Sequence, residues 1–302
     1  MKKLIIAAGT GFLGQILVNH FKNKSEKIII LTRGKSEINN KIKYVNWDAK
    51  SFSGWESELE NADVLINLAG KSVDCRYTKE NKTEILASRI DSTKILNDAI
   101  VQCKNPPKHF INSSTATIYR HSEDKEMDEY TGEIGNDFSM NVAKEWEKTL
   151  YEVETSRTLK TAVRTSIVLG KNGGAFVPLK KITQLGLGGK NGSGKQFVSW
   201  IHEKDFARAV AFIIENELSG SINVVSPKPI RNEEFMKKLQ KAIGIPFGLP
   251  IPKSFLEFGA KIIKTETELV LKSRNVIPKR LTENGFEFEF ADLDKTFKNL
   301  LS

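Results

Sequence analysis

Gly9, Thr10, Gly11, Phe12, Leu13 and Gly14 stand between an apolar run at Leu4 to Ile6 and apolar positions at Leu13, Ile16, Leu17 and Phe21. The run suits a buried strand, and the three- and four-residue spacing after it lays one stripe along a helix. A strand, a glycine turn and a helix in that order can hold the pyrophosphate of a dinucleotide. Gly11 lets the backbone approach the phosphates, Gly14 lets the helix pack close to the strand, and the helix start offers unpaired N–H groups and a positive dipole end. A tight turn with no ligand is the competing reading. The strand before it and the helix after it favour the nucleotide.

A second strand is expected over Lys27 to Leu31, followed by Thr32, Arg33, Gly34, Lys35 and Ser36. An acidic residue here would take the ribose hydroxyls of NAD and repel a 2′-phosphate. Arg33 and Lys35 are cations, and a charge-assisted arginine–phosphate contact is their natural use. NADP(H) is therefore the expected cofactor, with two solvated surface cations as the alternative. A third strand over Lys41 to Asn46 leads to Trp47 and Asp48, placed to touch an adenine. A fourth over Ala62 to Leu68 ends in Leu68, Ala69 and Gly70, small enough for close backbone approach to a cofactor.

These groups share a site only if the strands lie side by side with their carboxyl ends together. The rest of the pattern supplies that frame. A helix is expected over Lys79 to Cys103 and a fifth strand over His109 to Asn112, leading into Ser113, Ser114 and Thr115. A helix over Asp137 to Thr155 and a sixth strand over Thr161 to Val168, closing the sheet, follow. Alternating strands and helices predict an α/β fold with a doubly wound parallel sheet over residues 1–170. Beyond Gly170 come glycine-rich segments and a short strand over Gln196 to His202. A helix starts at Asp205, capped by it, and a strand covers Ser221 to Val225. Helices over Arg231 to Ile243, Ser254 to Lys264 and Asp292 to Leu300 complete the chain. Residues 171–302 are expected to form a smaller C-terminal α/β substrate lobe, partly interleaved with the core.

Composition narrows the partners. The chain has 302 residues, 39% hydrophobic and 27% charged, enough for a full core. Its net charge is +9, but lysines alternate with Glu and Asp and form no basic stripe, so a solvated surface is expected and no nucleic acid. No apolar run reaches membrane-spanning length, and no cleavable leader follows Met1, so a cytoplasmic protein without a membrane partner is expected. Two cysteines and four histidines show no ligand spacing, and no metal is expected. The acidic run from Glu123 to Glu129 reads as a solvated loop.

The glycine turn, Asn67-Leu68-Ala69-Gly70, Ser113-Ser114-Thr115 with Tyr119, and Ser199-Trp200-Ile201-His202 together resemble extended short-chain dehydrogenase/reductases of the NAD-dependent epimerase/dehydratase family. Arg76-Tyr77-Thr78, Lys82, Ser88-Arg89, Trp146-Glu147, Gly188-Gly189, Pro278 and Gly285-Phe286-Glu287-Phe288 are similar to the "epimerase family protein" branch, whose dedicated C-terminal domain would fall at about 250–300. The resemblance implies a Rossmann fold, NADP(H), a small carbonyl or sugar-derived substrate, and a homodimer through the nucleotide-binding half. It places Thr115 where a catalytic Ser or Thr would bond the substrate oxygen, with Ser114 as the fallback.

Two departures stand out. Glycine is usual at Ala8, whose methyl should crowd the turn, with Gly9 supplying the freedom. The tyrosine of the Tyr-x-x-x-Lys pair is missing: Phe138 or Met140 occupies its place, while Lys144 lies near the lysine slot and could bind the nicotinamide ribose or stand solvated. That tyrosine exchanges a proton as hydride moves, so two functions stay open. One is an NADP(H)-dependent oxidoreductase or epimerase-like enzyme; the other is a catalytically silent NADP(H)-binding sensor.

Overall fold

Leu4 and Ile6 leave strand β1 (Lys3–Ala7) on one face, Ile5 and Ala7 on the other, and all four are fully buried. Such a strand belongs in the middle of a sheet covered on both sides. In the computed structural model, which describes residues 1–39, 41–252, 254, 257 and 266–302, it lies there. β1 pairs in parallel with β2 (Lys27–Thr32) and β5 (Val64–Asn67). Outside β2 come β4 (Ile42–Asn46) and β3 (Glu37–Asn39), the latter antiparallel. Outside β5 come β6 (His109–Thr115), β7 (Leu159–Thr165) and β12 (Gly220–Val224), all parallel. The chain thus winds outward from β1 in one direction and then in the other. The crevice at the carboxyl ends of β1 and β5 is the switch point, where ligands of such sheets bind.

The two faces form separate cores. Leu4, Ile6, Ile28 and Ile30 meet Leu17 and Phe21 of α1 (Phe12–Phe21) and Phe206 and Val210 of α5 (Glu203–Glu215). Ile5, Ala7, Ile29 and Leu31 meet Leu96 and Ala99 of α2 (Lys79–Gln102) and Leu150 of α3 (Phe138–Glu152). The Rossmann-type α/β sheet is as expected from the sequence.

Two strands differ from expectation. The sixth breaks at Ser166: β7 stays in the main sheet, while β8 (Ile167–Gly170) joins β9 (Gly173–Gly174) and β11 (Trp200–His202) in a small sheet. β7 is not the edge either, because β12 lies outside it. The strand over Gln196 to His202 also divides, and its first part, β10 (Phe197–Val198), pairs with β13 (Ile230–Arg231). Phe176 of α4 (Phe176–Gln184), Phe235 and Leu239 of α6 (Asn232–Ile243) and Phe297 of α9 (Leu293–Leu301) share a third core with Trp200. Two short helices, α7 (Glu268–Leu271) and α8 (Lys279–Glu283), precede α9. The helix expected over Ser254 to Lys264 lies almost wholly outside the described residues. Among the described residues no helix is long and apolar enough to cross a membrane.

Candidate functional site

The turn after β1 is shaped by missing side chains. Ala8 itself takes a φ of +58°, in the left-handed region, and its N–H donates to the Leu31 carbonyl at 2.8 Å. Gly9, expected to supply that freedom, does not. Space is tight there, since a Cβ would lie 3.0 Å from Ile6 Cγ2 and press on the side chains of β1 and β2. At Gly14 a Cβ would lie 2.3 Å from the Gly9 carbonyl oxygen, so α1 rests directly on the turn. Gly11 differs: a Cβ there would meet nothing nearer than 3.8 Å among the described residues beyond its chain neighbours. Its bareness serves no packing and leaves room beside the start of α1. No side chain caps that helix and its first turn holds no acidic residue, so its N–H groups and dipole remain for an anion. Thr10 is exposed beside this space, Leu13 packs toward the core, and the Phe12 ring wedges against the glycines of β8 and β9.

At the end of β2, Thr32 Oγ1 accepts from the Gly34 N–H at 3.2 Å. The Asn46 amide fastens the turn from β4, donating to the Gly34 carbonyl at 2.8 Å. Arg33 and Lys35 project from this turn exposed, and enter no ion pair among the described residues. Asp48 is spent locally: it takes the N–H groups of Lys50 and Ser51 and the Ser51 hydroxyl, bonds that pull its pKa down to about 2. Trp47 is buried against Trp55 rather than open to an adenine. At the end of β5, the Leu68 N–H donates to the Ala7 carbonyl, the Ala69 N–H donates to Asn67 Oδ1, and Gly70 emerges exposed.

Strand alternation sets the two hydroxyls of β6 apart. Thr115 is half-buried, and its Oγ1 accepts from the Thr117 N–H at 3.1 Å. That bond fixes the oxygen and leaves the hydroxyl proton to be donated elsewhere. Ser114 turns the other way and donates to Glu147 Oε1 at 2.6 Å, buried beneath α3. Glu147 in turn receives Arg164 Nε at 2.8 Å and Nη2 at 2.7 Å, while Arg164 Nη1 donates to the Tyr119 hydroxyl and Tyr119 donates to Asn223. Burial opposes the arginine's charge, but the bonds and charge of Glu147 outweigh it and hold the Arg164 pKa above its ordinary value. Lys144 sends its ammonium to Asn136 Oδ1 at 2.8 Å, on the outer side of α3. Of the two residues at the tyrosine's place, Met140 is 4% exposed and Phe138 packs against Tyr77, and neither carries a proton.

Other groups singled out from the sequence prove architectural. The cap of α5 is His202, whose Nδ1 accepts from the Lys204 N–H at 3.0 Å. Asp205, expected to cap, is buried and grips the tail through the N–H groups of Glu289 and Phe290. In the acidic run, Asp128 closes the turn at Tyr130 and Thr131, and Glu129 accepts from the Asn223 N–H. Among the described residues no group of His, Cys, Asp and Glu could hold a metal ion, and both cysteines are free thiols.

The sequence reading missed what the tail contributes. Glu266 accepts from the Tyr77 N–H at 2.7 Å, Lys272 pairs with Asp137 at the start of α3, and Arg274 follows two residues later. No local pattern links Arg274 to Tyr77 or Arg89, because α2 and the tail meet only in the fold.

Comparison with known proteins agrees with this architecture. Residues 4–225 match the NAD dependent epimerase/dehydratase family, and residues 251–300 match a domain of unknown function, DUF1731. An epimerase family protein of Staphylococcus aureus (strain MRSA252) is 35% identical over 305 residues, covering 100% of both chains. The epimerase family protein YfhF of Bacillus subtilis is 33% identical, covering 99% of this chain and 98% of that one. The crystal structure of human epimerase family protein SDR39U1 (isoform 2) with NADPH superposes with a TM-score of 0.87 at 28% identity, covering 99% and 98%. With its glycine cradle, its parallel sheet and the match over residues 4–225, the chain belongs to the NAD dependent epimerase/dehydratase family.

Proposed function

We propose that this chain is an NADP(H)-dependent oxidoreductase or epimerase-like enzyme acting on a small polar carbonyl or sugar-derived substrate. One observation carries the reading: the space at Gly11, unused by the chain's own packing, opens onto the uncapped start of α1. Gly9, Gly11 and Gly14 would shape the pyrophosphate site, and Arg33 and Lys35 would hold the 2′-phosphate. Leu68, Ala69 and Gly70 would flank the nicotinamide end. The SDR39U1 structure with NADPH supports the same cofactor. When bound, the cofactor supplies or accepts a hydride at the substrate carbon. Thr115, its oxygen steadied by Thr117, would donate its proton to the substrate oxygen. Ser114 is committed to Glu147, which favours Thr115 over it for that role.

Calorimetric titration with NADPH and NADH tests the cofactor. NADPH should bind the parent at least about tenfold tighter than the Arg33→Ala variant, with NADH little changed. Equal binding of the two cofactors, or of neither, would overturn the assignment.

A second reading has its own observation: Phe138 and Met140, at the place of the proton-carrying tyrosine, carry no proton. An NADP(H)-binding protein that senses rather than catalyses predicts cofactor binding with no oxidation of NADPH across a carbonyl panel. Turnover on any member, reduced at least about a hundredfold by Thr115→Ala with cofactor affinity kept, decides for the enzyme.

A further inference from the structure

Arg89 is a half-buried cation without a counter-ion among the described residues. Its Nη1 donates to the carbonyls of Lys71 at 3.1 Å and Ile85 at 2.9 Å, and its guanidinium stacks 5.0 Å from the Trp146 ring. Burial pushes its pKa down to about 10. A Cβ at Gly70 would lie 3.1 Å from its central carbon, so the guanidinium rests against the end of β5, at the switch-point crevice.

Two further groups are linked to it electrostatically. Tyr77, on the loop after β5, packs edge-on to Phe138 at 5.0 Å and is close enough to Arg89 to interact with its charge. Its hydroxyl is shut off from solvent and makes no hydrogen bond of good geometry, with Ser139 beside it. From the tail comes Arg274, also half-buried, which donates to the Ser273 carbonyl and interacts with Tyr77. Its carboxylate neighbour is Glu268 at 3.7 Å, which Lys272 engages more closely at 2.8 Å.

Two half-buried guanidinium groups and a buried hydroxyl, from three parts of the chain, therefore present more donors than the described residues accept. A partly buried charge without a carboxylate of its own is unfavourable, and an unbonded buried hydroxyl adds to that. An arriving anion would relieve both. We infer that Arg89, Arg274 and Tyr77 form a pocket for an oxyanion, a carboxylate or phosphate carried by the substrate. The planar forks of the arginines match paired oxygens, and the tyrosine adds a third donor. The inference rests on the substrate reading above and narrows it from polar to anionic.

Malonate and inorganic phosphate, titrated separately into the full chain, are the probes. The chain carries Arg33→Ala, so that the 2′-phosphate position cannot answer for the pocket. One probe or both should bind saturably, and Arg89→Met and Arg274→Met should each weaken binding at least about tenfold. Gly70→Ala, whose methyl would lie 3.1 Å from the guanidinium carbon and push it aside by a few tenths of an ångström, should weaken binding by a smaller but measurable factor and keeps the test valid if either arginine variant does not fold. Binding unchanged in these variants, or no saturation of either probe by about 10 mM, overturns the pocket. A parallel NADPH titration of the chain with Arg33 intact separates the two readings. NADPH binding without anion binding rejects the pocket alone. Anion binding lost in the variants without NADPH binding rejects the cofactor alone.

Discussion

Arg164, buried, and Arg89, half-buried, both lie beside α3, yet they live in opposite surroundings. Arg164, on β7, meets a carboxylate through two nitrogens and a tyrosine hydroxyl through a third. Arg89, on α2, has two carbonyls and an aromatic face. Burial acts against both charges, but only Arg164 has the partner to overcome it. One arginine is part of the architecture. The other belongs to a region the fold leaves chemically unfinished, along with the Gly11 space and the exposed Arg33 and Lys35. The wall behind β6 satisfies itself, and the carboxyl edge of the sheet does not.

The sharpest way to break that comparison is to remove Glu147. Glu147→Ala strands a buried guanidinium and orphans the hydroxyls of Ser114 and Ser221, so stability should fall by about 3–5 kcal/mol in urea unfolding. Protein that remains folded should bind NADPH as before. A loss below about 1 kcal/mol would mean that Arg164 finds water or another partner, and the contrast with Arg89 would vanish.

Acid should test the self-satisfied wall more gently. His109 bonds Thr161 inside the sheet, and His202 stacks on Phe290 and bonds Asn299. Burial pushes both pKa values down to about 4, so both imidazoles are neutral in the fold. In the unfolded chain they take up protons near pH 6.5. The unfolded state therefore binds more protons between those values, and stability, fully present above about pH 6.5, is lost as pH falls toward 4. Between pH 7 and 5.5 the loss should be about 1 kcal/mol for each histidine. His202→Gln should remove roughly half of that slope. A urea midpoint that does not move over this range would mean that the histidines are solvated.

The same contrast explains what could be read from the sequence. The cradle at Gly9 to Gly14 and the cations after β2 are written in consecutive residues, because a strand, a turn and a helix start are local events. Strand spans and the parallel sheet followed from apolar runs for the same reason. The break at Ser166 did not, since Thr161 to Val168 carries one continuous strand-like pattern and only pairing with distant Trp200 to His202 divides it. Asp205 looked like a cap because Ser, Thr, Asp and Asn usually are. Its true partners, Glu289 and Phe290, lie in the tail. Arg89, Tyr77 and Arg274 were legible as residues but not as neighbours.

The smallest effect expected is at Ala8, where the unfinished edge also carries strain. A left-handed backbone costs an alanine about 1–2 kcal/mol, because its Cβ crowds the following carbonyl. Glycine would remove that cost but lose about 0.5–1 kcal/mol through the greater freedom of the unfolded chain. Ala8→Gly should therefore raise the urea unfolding stability by no more than about 1.5 kcal/mol. The turn already has its conformation, held by the bond to Leu31 and by α1 seated on Gly9, so NADPH affinity should change by less than about threefold. A large gain in affinity would mean that the alanine methyl intrudes on the cradle itself, and that this edge is shaped to weaken the cofactor's grip. A loss of stability would mean that the methyl contributes packing that outweighs its strain.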